Sequence, residues 1–97
     1  MTTNNAVLWL SFIRAALKDT RLNVWHLALL LAIIELAFAQ NEQKIIRVSR
    51  SKLMALSHIH TLPTYHKYFK QIEDFGYIKY TPSYHPGYRS TVELLKF

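Results

Sequence analysis

The chain is predicted to be mainly α with a small β-hairpin, an α+β fold, and three observations predict it. Apolar residues recur at helical spacing through the first forty positions, a short β-branched run follows, and a Pro-Gly pair separates two β-rich segments near the end. Ninety-seven residues make one domain, just large enough to bury a core without metals or disulfides. With two Gly and three Pro there is little linker material, and disorder is expected only over Met1 to Asn4. The absence of Cys excludes disulfides and thiolate metal sites and fits a cytoplasmic protein.

In the stretch 5–18, "NAVLWLSFIRAALK", Leu8, Phe12, Ala15 and Ala16 recur on one helical face, with Asn4 or Asn5 as the cap. "KDTRLN" interrupts the pattern, and a second helix is expected from near Asn23 to about Gln40. Its run from Val24 to Ala39, "VWHLALLLAIIELAFA", has only His26 and Glu35 as strongly polar residues. A membrane span needs roughly 20 apolar residues; this run is sixteen and carries a Glu. It also starts too late, without a cleavage pattern, to be a signal peptide. A helix apolar on nearly all sides is expected to be buried on nearly all sides, between the first helix and the C-terminal half. Glu35 is expected to be a hydrogen-bonded core or interface residue, and any leftover apolar face favours a homodimer through the N-terminal helices.

Beyond the polar loop "NEQK", the β-branched "IIRV" (Ile45 to Val48) suits a brief strand. Ser49 can cap a short helix, Arg50 to Ser57, that offers Leu53, Met54 and Leu56 to the core, with His58 closing its end. Thr61 is the next candidate cap, and the helix it opens, Leu62 to Phe75, tolerates Pro63 in its first turn. Tyr65, Phe69, Ile72 and Phe75 form one apolar stripe, with Tyr68 beside them, and Thr64, His66, Lys67, Lys70 and Gln71 take the opposite face. Glu73 and Asp74 lie where the helix dipole disfavours acids, and Gly76 supplies a left-handed residue to end the helix. "YIKYTPS" and "STVELLK", on either side of "YHPGYR", then read as a hairpin. The order helix, helix, strand, helix, helix, hairpin is that of a winged helix-turn-helix with an extra N-terminal helix: a helical pair over 5–40, and the helix-turn-helix plus wing over 44–97.

Charge is unevenly spread. Residues 1–40 hold three bases against Asp19 and Glu35, a balance of +1, whereas 41–97 hold nine against four acids, a balance of +5. One-sided basic charge is the footprint of a polyanion-binding face, or simply of a basic, well-solvated surface. No glycine-rich phosphate loop, no paired carboxylates in an apolar stretch and no Ser or Cys with a plausible base is present, so no enzyme activity, catalytic residue or cofactor is expected. His58, His60 and His66 match no standard metal-site spacing, and no metal is expected.

The segment "TYHKYFKQIEDFGYIKY" (Thr64 to Tyr80) resembles the third helix and first wing strand of winged helix-turn-helix proteins, through Thr64, Tyr65, Lys67, Phe69, Ile72, Gly76 and Ile78. Over residues 44–97 the chain is similar to small DNA-binding proteins of bacterial mobile elements, including excisionase-like factors and DnaD-like replication proteins. It departs from them at Tyr68, a position often occupied by Ala. The resemblance implies sequence-specific binding of double-stranded DNA, as a transcriptional regulator or a recombination accessory factor. A recombinase or other protein is the further partner it implies. Thr64, His66, Lys67 and Lys70 would face the major groove, and Arg50 and Lys52 would hold backbone phosphates. Tyr84, His85, Tyr88 and Arg89 would lie on the adjacent minor groove or its phosphates. Lys52 and Lys70 could equally be solvated charges, and Tyr84 and Tyr88 could serve only cross-strand packing. The alternative function is a protein-interaction module or a replication-initiation accessory on the same scaffold.

Overall fold

In a computed structural model that describes residues 3–42, 44–85, 87 and 89–95, with side chains from Ala6 onward, the described residues form four helices and a three-stranded antiparallel sheet. The elements are α1 (Thr3–Lys18), α2 (Val24–Gln40), β1 (Ile45–Val48), α3 (Arg50–Ser57), α4 (Leu62–Asp74), β2 (Ile78–Thr81) and β3 (Ser90–Leu94). The expected hairpin is therefore two strands of a larger sheet, in the order β1-β3-β2. Pairing sets Ile46 opposite Val92 and Tyr80 opposite Val92 from the other side, with Ile78 opposite Leu94. These side chains, together with Val48, point one way into the core, while Ile45, Arg47, Lys79 and Thr91 point outward, as the two-residue period of a strand requires.

Helix α1 begins at Thr3, so Asn4 and Asn5 lie inside its first turn and are not its caps. Its buried stripe is Trp9, Phe12 and Ala16; Leu8 is only half-buried and Ala15 is exposed, because the face that meets the core is rotated from the expected one. Asn23 caps α2, its Oδ1 accepting from the Trp25 and His26 backbone N–H groups. Helix α2 is the hub, touching α1, α3, α4 and β1, and Leu29, Leu30, Ile33 and Ala37 are fully or almost fully buried. It is nonetheless not enclosed all round. Val24, Leu31, Glu35 and Phe38 lie on an exposed stripe, so Glu35 is a surface residue and not a core carboxylate.

Ser49 caps α3 through the Lys52 N–H at 3.3 Å, and His58, in the left-handed conformation (φ 61°), ends it. Leu53 reaches the core, but Leu56 is exposed; Ile59, in the turn before α4, is fully buried instead. Thr61 occupies the N-cap position of α4 without capping it, because its hydroxyl donates to Thr64 Oγ1 at 2.8 Å. Tyr65, Phe69 and Ile72 are buried as the stripe predicts, and Phe75 is half-buried. Gln71, expected on the outer face, turns inward to meet His26. Gly76 takes φ 86°, a left-handed value that L side chains rarely tolerate, and so lets the chain turn from α4 into β2. Glu73 is not idle at the helix end, since its Oε2 accepts from the Tyr80 N–H at 3.3 Å.

Two polar devices lock the helical pair to the rest. The Asp19 carboxylate, between α1 and α2, accepts from the Tyr77 hydroxyl at 2.6 Å and from Arg21 at 2.7 Å, and the Arg21 guanidinium lies 4.6 Å from the centre of the Phe75 ring. At the other end of α2 the Gln40 amide bonds both backbone groups of Arg47, accepting from N–H at 2.9 Å and donating to C=O at 2.7 Å. Gln40 thus stands in for the missing neighbour on the open edge of β1, which would otherwise offer unpaired groups to another chain.

Candidate nucleic-acid interface

Side chains expected to meet DNA come from three places: the start of α3, the exposed face of α4, and the loop between β2 and β3. At the first, Arg50 and Lys52 are exposed within the first turn of α3. Lys52 lines a cavity of about 310 Å³ together with Gln40, Arg47, Ser49 and Arg89. Arg47, Lys52 and Arg89 come from a strand, a helix and a loop, and none makes an ion pair among the described residues. Three cations around one polar recess, with no carboxylate among the described residues that line it, repel each other unless an anion lies between them. The N-terminus of α3 adds its partial positive charge at Ser49.

On α4, His66 and Lys67 are exposed, and Thr64 is half-buried. The Lys67 ammonium lies 5.2 Å from the centre of the Tyr68 ring, so the large residue at 68 steers the lysine along its face. Lys70 differs from the others. Its Nζ is 3.5 Å from Asp74 Oδ1, one helical turn on, so part of its charge is spent within the helix. Thr64, Lys67 and Tyr68 border a second recess of about 280 Å³ with Pro63 and Trp25. There the Trp25 and Tyr68 rings stack with centroids 6.2 Å apart, which brings the first turn of α2 to the edge of the α4 face.

Burial pushes the Tyr65 phenol up to about 12, with Tyr80 adding to the rise and Arg50 opposing it.

In the β2–β3 loop, Tyr84 is 93% exposed and stands outside both strands, so it does not serve as a cross-strand packing residue. His85 is exposed and its Nδ1 accepts from the Gly87 N–H at 3.1 Å. Arg89 is exposed one residue before β3. Tyr88 lies outside the described residues.

The structure thus brings Arg89 to Lys52 and sets Lys67 beside Thr64, while Lys70 points to its own helix. Sequence reasoning missed Arg47, Gln40 and Trp25. Arg47 had a signal, because it alternates with the core residues Ile46 and Val48 and must face outward. Gln40 and Trp25 had none, since their roles depend on how α2 meets β1 and α4.

Among the described residues no three His, Cys, Asp or Glu side chains gather closely enough to hold a metal ion, and no helix is long and apolar enough to cross a membrane. Comparison with protein-family models, with curated proteins and with solved structures finds no match to this chain.

Proposed function

We propose that the chain is a winged helix-turn-helix protein that binds double-stranded DNA sequence-specifically, as a transcriptional regulator or a recombination accessory factor. In this reading α3 and α4 are the helix-turn-helix, α4 enters the major groove, and the β2–β3 loop is the wing. The observation that carries it is the recess of Arg47, Lys52 and Arg89, three cations without an ion pair among the described residues, which joins the α3 start to the base of the wing. A backbone phosphate fits such a recess in charge and in polarity. Lys67, His66 and Thr64 then supply contacts to base edges, and Arg50 and Arg89 contacts to the sugar-phosphate backbone. Lys70 plays a smaller part than its position suggests, because Asp74 competes for it.

The test is duplex binding measured by fluorescence anisotropy over a range of salt, with sequences enriched from a random pool. A protein that neutralises Z phosphates loses affinity with a log–log slope of about −0.9Z, so Arg47→Ala, Lys52→Ala and Arg89→Ala should each flatten the slope by about 0.9. Lys67→Ala should weaken binding and also broaden the preferred site. A slope unchanged in the triple substitution overturns the proposal.

A further inference from the structure

We infer that the exposed apolar face of α1 and α2 is a self-association surface, covered by a second copy of this chain related by a two-fold axis. This goes beyond the DNA-binding proposal and does not rest on it. On α1, Leu10, Ile13 and Leu17 are spaced i, i+3, i+7; on α2, Leu27, Leu31, Ile34 and Phe38 are spaced i, i+4, i+7, i+11. Both are the three-four alternation that packs one helix against another. Leu10, Leu17, Leu31 and Phe38 are among the large apolar residues left exposed, as are Val7 and Val24 at the margins, with between 53% and 71% of each in solvent. Ile13, Leu27 and Ile34 are half-buried at their bases.

The helices run antiparallel, since five residues join them and Trp9 near the start of α1 meets Phe38 near the end of α2, ring centroids 5.8 Å apart. With that direction and right-handed winding, the two stripes fall on the same side of the pair. Six side chains more than half exposed offer on the order of 600 Å² per copy, and a two-fold pairing would bury on the order of 1,200 Å², the lower edge of specific interfaces.

Charge names the partner. Between Val7 and Leu17, Arg14 is the one ionisable residue of α1, and Glu35 is the one Asp, Glu, Lys or Arg of α2, whose other ionisable residue, His26, is buried on the opposite side. Both are exposed, and neither makes an ion pair among the described residues. Counting from the Trp9–Phe38 contact, Arg14 and Glu35 stand within about one helical turn of the same height. A two-fold axis along the helices lays α1 of each copy over α2 of the other and brings each Arg14 to the partner's Glu35, twice. A patch with one base, one acid and an apolar seam between them is complementary to itself, as a two-fold interface requires.

Sedimentation velocity of the full chain without DNA should show a concentration-dependent dimer. Leu31→Lys should weaken association by roughly 100-fold with far-ultraviolet dichroism unchanged, because the residue lies outside the core. Arg14→Glu and Glu35→Arg should each weaken it by about threefold to tenfold, and the two together should restore it. This exchange keeps the proposal falsifiable even where Leu31→Lys perturbs folding. A monomer up to about 0.1 mM overturns the inference, since weaker association falls below the specific class. So does a dimer indifferent to these substitutions, singles that are not rescued together, or a monomer that instead co-sediments with phospholipid vesicles.

Discussion

His26 joins the capping of α2 to the packing of α4, and its removal should be the most costly single change at that junction. Its ring is 2% exposed. Nδ1 accepts from the Asn23 N–H at 2.8 Å, which leaves the proton on Nε2, where it is donated to Gln71 Oε1 at 2.6 Å. Tyr68 meets the ring edge-on at 5.0 Å between centroids, and Phe75 tilts against it at 5.8 Å. His26→Ala deletes two hydrogen bonds worth about 1 kcal/mol each and ring contacts worth about 2 kcal/mol. Asn23 and Gln71 can partly rehydrate, so the net cost should be about 3 kcal/mol, or roughly 15 °C in melting temperature for a domain of this size. His26→Gln keeps the reciprocal cap and loses only the Gln71 bond and the rings, so it should cost about 1 kcal/mol less than His26→Ala, the worth of the cap bond. Urea denaturation of the two variants and of Gln71→Ala gives the comparison, and a His26/Gln71 double-mutant cycle should show about 1 kcal/mol of coupling. A loss below about 1 kcal/mol in His26→Ala, or equal losses for Ala and Gln, would refute the assignment.

Hydrogen bonds from Arg21, then from Tyr77, hold the Asp19 carboxyl well below its ordinary value, so its contribution is full above about pH 4 and is lost as the pH falls through the lowered value. Asp19→Asn should therefore reduce the acid sensitivity of unfolding. Burial, with Asp19 adding to it, pushes the Tyr77 phenol from 10.0 up to about 12, so its contribution is full below pH 10 and is lost between there and about 12. Tyr77→Phe should remove that alkaline loss in a pH series of melting curves. Gly76→Ala, forced to φ 86°, should cost about 1–2 kcal/mol in urea titration, and an unaltered midpoint would contradict the left-handed turn. Asp74→Ala releases Lys70 and removes a negative charge from α4, so duplex affinity should rise severalfold at low salt, where weakening would count against α4 as the DNA-facing helix.

Much of the element order can be read from the residues, because each boundary has a local chemical cause. Asn23 and Ser49 carry capping oxygens, Gly76 a left-handed turn, and the Tyr65–Phe69–Ile72 stripe the inner side of α4. What could not be read depends on partners distant in sequence. Nothing in "IIRV" says that its partner is "STVEL", so the hairpin was legible and the three-stranded sheet was not. The apolar excess of α2 implied burial on every side, yet a chain of this size has too few elements to surround a helix, and Glu35 with Val24, Leu31 and Phe38 stays outside. Likewise the basic residues of the candidate interface were legible individually. Which of them share a recess follows only from the packed elements, whereas the Lys70–Asp74 pair, four residues apart on one helix, was legible in the spacing and passed over.

The placement of β3 between β1 and β2 has a consequence for how the chain folds as it leaves the ribosome. Both outer strands wait for the same partner, and the closest register pair of β1, Val48 with Ser90, spans α3, α4 and β2. The helices can form and associate through nearer contacts, but loop closure delays the sheet until Ser90 to Leu94 is available. In that interval the main-chain groups of Arg47 can be met by Gln40, seven residues away, whose amide can close without the rest of the sheet. A nascent chain halted before Ser90 should thus hold a helical assembly with one strand edge already shielded, a useful property while the strand's other edge stands unpaired.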